Sequence, residues 1–158
     1  MNLNQQIQKL RPYPQKLSIK TEIVFSVVST IIGIALGFIA KMTDSISIIG
    51  EIGTEIGIWI FVATLIAAFS HYPLSAAINV FLFFISVLFA YYTYGQLVLG
   101  FFPQSYFYGW LIMAFISPIA GIAVWFSKAD KVIGSVVTAL PVALLFAHGF
   151  PVFYTLRL

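Results

Sequence analysis

From Ile23 to Ala40 the chain runs without a single charged side chain, and four further apolar runs follow it. They cover about residues 53–70, 75–97, 109–126 and 132–150, and Glu55 is the only Asp, Glu, Lys or Arg within them. A helix that crosses about 30 Å of hydrocarbon needs about 20 predominantly apolar residues. Lipid offers the backbone no hydrogen-bond partner, so each run is expected to be a helix, and no series of alternating strands is present to close a barrel. The expected fold class is all-α: a polytopic transmembrane helix bundle of about five spans.

Composition excludes the ordinary alternative. Of 158 residues, 61% are hydrophobic and 8% charged. Soluble domains carry about 25% charge, and thirteen charged side chains cannot cover a water-facing surface. The expected environment is therefore a lipid bilayer. The net charge of +3 is no nucleic-acid signature, because Lys9, Arg11, Lys16 and Lys20 all lie just before the first apolar run. Basic residues there favour an anionic cytoplasmic leaflet and fix topology.

Two parts are expected: a basic cytoplasmic segment over 1–22 and a transmembrane helical domain over 23–158. In the first, Leu3, Ile7 and Leu10 share one helical face until Pro12 and Pro14 end the pattern. An interfacial helix and an irregular tail both fit it. The first apolar run ends without a small-x-small cleavage site and is read as a retained span. With the N-terminus cytoplasmic, the inner segments hold Lys9, Arg11, Lys16, Lys20, Lys128 and Lys131, and the outer ones hold Lys41 and Arg157. That imbalance sets the expected orientation. It puts Trp59 and Trp110 near the outer interface and Trp125 near the inner one. A multi-pass protein of a plasma membrane, of the bacterial inner-membrane kind, is the expected setting.

Small residues recur three or four positions apart. Span one carries Ser29, Gly33, Gly37 and Ala40, span two Gly53 and Gly57, span four Ser117 and Gly121, and span five Ser135, Ala139, Ala143 and Ala147. Such stripes let helix backbones approach closely where lipid supplies no hydrophobic force. One reading is packing inside the bundle. The other is that span one docks a partner membrane protein or a second copy. Asn79, Ser86 and Thr93 share a face of span three and are expected to bond across helices. Pro118 and Pro141 are expected to bend their spans.

The candidate ligand-binding residues gather at the outer end: Glu51, Glu55, Tyr91, Tyr94, Trp110 and His148. Glu51 and Glu55 lie four apart on one helix face, and Glu55 is expected at the outer edge of the hydrocarbon. With the aromatic residues they compose an outward pocket with apolar walls and a few polar anchors, the usual make-up of a small-molecule site. The alternative is an interfacial aromatic belt with headgroup-level carboxylates. No catalytic, phosphate-binding or cofactor motif occurs, cysteine is absent, and His71 and His148 fall on opposite faces, so neither an enzyme, a cofactor nor a metal site is expected. A small-solute binding or transport component is the first functional expectation, and a non-catalytic scaffold acting through helix contacts the second. In size, outer aromatic cluster and small-residue first span, the chain is loosely similar to the substrate-capture subunits of energy-coupling-factor vitamin transporters, which typically have six spans.

Overall fold

A computed structural model describes residues 3–13, 18–44, 46, 56–100, 102–129 and 131–155. Among them every regular element is a helix. In chain order they are α1 (Leu3–Leu10), α2 (Ile19–Thr43), α3 (Ile56–Phe69), α4 (Pro73–Leu99), α5 (Gln104–Trp125), a 3₁₀ turn (Phe126–Lys128) and α6 (Lys131–Thr155). Three apolar stretches are long enough to cross a membrane: Ile19–Thr43, Pro73–Leu99 and Gln104–Lys128. Outward-facing Ile, Leu, Val and Phe side chains cover the bundle, as in Val24, Ile31, Phe115 and Ile119. In water that surface is untenable, and in hydrocarbon it is ordinary.

The elements begin and end where local chemistry requires. α1 stops before Pro12, whose ring would clash with the preceding turn. α4 opens on Pro73, where a missing N–H costs nothing. It closes on Gly100 at φ 66°, a left-handed position open to glycine, whose N–H donates to the Gly95 carbonyl. α2 starts at Ile19, so the segment boundary expected at residue 22 falls within its first turn.

α4 is the central helix and packs against α2, α5 and α3. Its contact with α2 depends on absent side chains. A Cβ at Gly33 would lie 2.5 Å from the Phe83 carbonyl oxygen, and one at Gly37 would lie 2.5 Å from that of Val87. Ser29, Gly33, Gly37 and Ala40 are all buried. The span-one stripe is therefore used inside the chain, against α4, and that face is closed to an external partner. Gly121 of α5 approaches Ala76 of α4 in the same manner. The core between these contacts holds Ala63, Ile66, Ala67, Ala76, Val80 and Phe83.

Proline 118 lies inside α5, which continues through it. A proline cannot donate to the carbonyl four residues back, here that of Ala114. The buried Ser117 hydroxyl donates to that carbonyl at 2.7 Å, so the orphaned acceptor is satisfied within the helix. α6 differs from the rest. It packs chiefly on α3 and the 3₁₀ turn. Its small-residue row of Ser135, Ala139, Ala143 and Ala147 is exposed, while Gly134 and Pro141 are buried. The expectation that this row packs within the bundle is corrected. Gly134 lies close against the Ala129 carbonyl, which leaves no room for a side chain there.

Candidate functional site

Antiparallel helices bring chemistry to two ends of the bundle. At one end, the last turn of α2 meets the C-terminal half of α4. Lys41 Nζ lies 2.7 Å from Asp44 Oδ2, and the Tyr91 hydroxyl donates to the same oxygen at 2.8 Å. Lys41 Nζ is also 3.4 Å from Tyr91 Oη and 4.7 Å from the ring centroid. These three groups form a closed polar triad whose charges cancel.

Beside the triad is a cavity of about 510 Å³. Lys41 and Tyr91 form its polar edge, and Phe84, Val87 and Leu88 of α4 line it further along. Trp59 closes it from α3, and Tyr106 and Trp110 close it from α5. Tyr92 also faces it and is wedged edge-on against Phe102 and Phe107, at centroid distances of 5.6 and 5.2 Å. The ring contacts fix the start of α5 against α4. Trp59 is buried, Trp110 partly so, and Tyr106 stands exposed at the rim.

Two of the expected ligand-binding residues, Tyr91 and Trp110, share this wall. Tyr94 does not: three residues on from Tyr91, it packs edge-to-face on Phe38 of α2 at 4.7 Å. Glu51, Glu55 and Gly53 lie outside the described residues. His148 belongs to α6, and its side chain lies outside them as well. Gly57 sits in the first turn of α3, partly buried. Sequence reasoning missed Asp44, the partner of Lys41. The three-residue spacing from Lys41 was the available signal, since it places both on one helix face.

The opposite end is held by charge and hydrogen bonds. Arg11, just beyond α1, donates to the Ala68 carbonyl at 3.0 Å, to that of Ser70 at 3.5 Å, and to that of Trp125. These carbonyls lie at the C-terminal ends of α3 and α5, where helix carbonyls run out of donors from the following turn. The guanidinium carbon also lies 4.1 Å from the Trp125 ring centroid, a favourable cation–π placement. Burial lowers the guanidinium pKa from its ordinary value. Trp125 is fully buried, and its indole N–H donates to the Ser70 carbonyl at 3.0 Å. It is an internal strut, not a belt residue, because the Arg11 segment and Tyr13 cover it.

Next to this clamp, Glu22 Oε1 and His71 Nδ1 face each other at 3.1 Å, and Ser75 donates to the other Glu22 oxygen. Ser26 donates to Asn79 Oδ1 at 2.7 Å, and Asn79 Nδ2 donates to Ser70 Oγ at 3.1 Å. The expected cross-helix role of Asn79 is thus present. Ser86 instead donates to the Leu82 carbonyl of its own helix, and Thr93 is exposed. A second hollow of about 830 Å³ lies between α1, α2 and α4, and its one carboxylate, Glu22, already accepts from Ser75.

Among the described residues, no three His, Asp or Glu side chains converge as a metal site requires. Compared with known proteins, the chain matches no family model, no curated protein and no solved structure.

Proposed function

We propose that this chain is a small-solute binding or transport component, holding its ligand in the aromatic cavity beside Lys41, Asp44 and Tyr91. The observation that carries the reading is the cavity itself, about 510 Å³ with Trp59, Tyr91, Tyr92 and Trp110 on its walls. Small-molecule sites are typically concave, mostly apolar, and furnished with a few placed polar groups. Aromatic side chains supply contact area, and the triad supplies orientation.

The proposed topology has five spans, with the N-terminus in the cytoplasm of a bacterial plasma membrane. Arg11 and Lys128 lie at the end opposite the cavity, and Lys9 and Lys20 fall in the same N-terminal stretch. That grouping supports a cytoplasmic clamp and an outward cavity. The 25 residues of α6 measure about 37 Å, enough to cross the hydrocarbon.

Native mass spectrometry of protein extracted in mild detergent tests the reading. The wild-type chain should retain an adduct lighter than a phospholipid, and the Trp59→Ala/Trp110→Ala variant should lose it. Identical spectra for the two would overturn the proposal.

A second reading, a scaffold acting through helix contacts, draws support from the exposed small-residue row on α6. Span one contributes to it only through the face that does not meet α4. Cross-linking from Ala143→Cys would support it by trapping a stable protein neighbour, and would count against it by trapping none.

A further inference from the structure

The lining of the cavity constrains what it can hold. Among the described residues, Lys41 is the only formally charged side chain on the wall, and Asp44 neutralises it at 2.7 Å. Asp44 Oδ2 already accepts from both Lys41 and Tyr91. A cationic ligand entering here would meet an ammonium and a carboxylate that is already engaged. An anionic ligand would meet the ammonium but compete with an aspartate fixed beside it. Either ion would also leave water for walls made of indole, phenol and alkyl groups, and uncompensated charge is costly to desolvate. An uncharged ligand meets none of these penalties.

Donor capacity narrows the class further. A lysine ammonium has three N–H donors. One is directed to Asp44 and one, at 3.4 Å, toward Tyr91 Oη. Among the described residues the ammonium has no further acceptor, and Lys41 lines the cavity edge. The opposite walls offer the rings of Trp59, Tyr92 and Trp110, whose faces suit a flat aromatic body.

We infer that the cavity takes an uncharged, flat, ring-containing small molecule with a carbonyl-type acceptor, the ring against Trp59, Tyr92 and Trp110 and the acceptor on the Lys41 ammonium. This rests on the binding role proposed above and specifies the chemistry of its ligand.

Three probes of nearly one shape separate the possibilities: benzamide, benzoate and benzamidinium. Each is titrated by ligand-observed NMR against the full chain in lipid nanodiscs, with empty nanodiscs as the reference. Benzamide should bind saturably and about tenfold or more tighter than either ion, the scale of one charge-assisted hydrogen bond. Trp110→Ala should abolish that binding, and Lys41→Met should weaken it about tenfold. Should Trp110→Ala fail to fold, Tyr106→Ala at the exposed rim replaces it, with a weakened benzamide signal expected. If benzoate or benzamidinium binds as tightly as benzamide and is lost on truncating the wall, the ligand class is wrong while the cavity's binding role stands. If no probe saturates, or if truncating the wall changes nothing, both the class and the binding role are overturned.

Discussion

Replacing Gly33 by alanine adds one methyl group where the fold has no room for it. The new Cβ would lie 2.5 Å from the Phe83 carbonyl oxygen and 2.9 Å from Ser86 Cβ. Ordinary contact begins at 3.4 Å, so the backbones of α2 and α4 must separate by about 0.9 Å or distort locally. The obstructing atom belongs to a helical backbone and cannot turn aside as a side chain could. Overpacking of this kind costs about 1–3 kcal/mol. The Gly33→Ala/Gly37→Ala double variant should lose more than either single one, but less than their sum, because one separation relieves both clashes. Gly109→Ala is the control: nothing lies within 4 Å of its Cβ, and it occupies a helix interior. There alanine should be neutral or stabilising by up to about 1 kcal/mol. Reversible unfolding in mixed detergent micelles measures all four variants. If Gly33→Ala matched Gly109→Ala, the close α2–α4 contact would be refuted. The triad and the cavity edge would then be in doubt too, since Lys41 and Asp44 lie on or beside α2 and Tyr91 on α4.

Arg11→Ala should destabilise the bundle by about 1.5–3 kcal/mol, because helix-end carbonyls of both α3 and α5 lose a charged donor. Arg11→Lys should recover less than half in the same unfolding assay, since an ammonium cannot reproduce the planar fork that bridges them. Ser117→Ala should cost about 1–3 kcal/mol by leaving the Ala114 carbonyl without its donor beside Pro118. Restoring the backbone N–H with the Ser117→Ala/Pro118→Ala double variant should recover most of that loss, and a double variant no better than the single would discount the hydroxyl's role.

Features set by spacing along one helix were legible in the sequence. Small residues at every fourth position in span one admit one structural use, close backbone approach, and Ser29, Gly33 and Gly37 serve it. Their partner was not legible, since spacing does not distinguish a helix of the same chain from one of another. The same ambiguity misled for α6, where the row from Ser135 to Ala147 faces outward. Tyr91 and Trp110 were expected together because both end spans on the same side. Tyr94 was expected with them, but its ring packs on Phe38 of α2, and an offset of only about 60° from Tyr91 decides between the two neighbours. The Arg11 clamp joins residues 57 and 114 positions apart and left no periodic trace. Trp125 looked like an interfacial anchor by position alone. Its burial follows from a segment whose docking the sequence does not encode as a pattern.

The central claim is a lipid-embedded bundle whose aromatic cavity opens to water on the side opposite the Arg11 clamp. The chain contains no cysteine, so single cysteines report without interference. Trp110→Cys on the cavity wall, Ile112→Cys on the outward apolar surface and Lys128→Cys beside the clamp are each treated in intact cells with a membrane-impermeant maleimide. The account predicts labelling at position 110, none at 112, and labelling at 128 only after the cells are opened. Labelling at 128 in intact cells with none at 110 would contradict the orientation, and equal labelling at 110 and 112 would contradict the embedding.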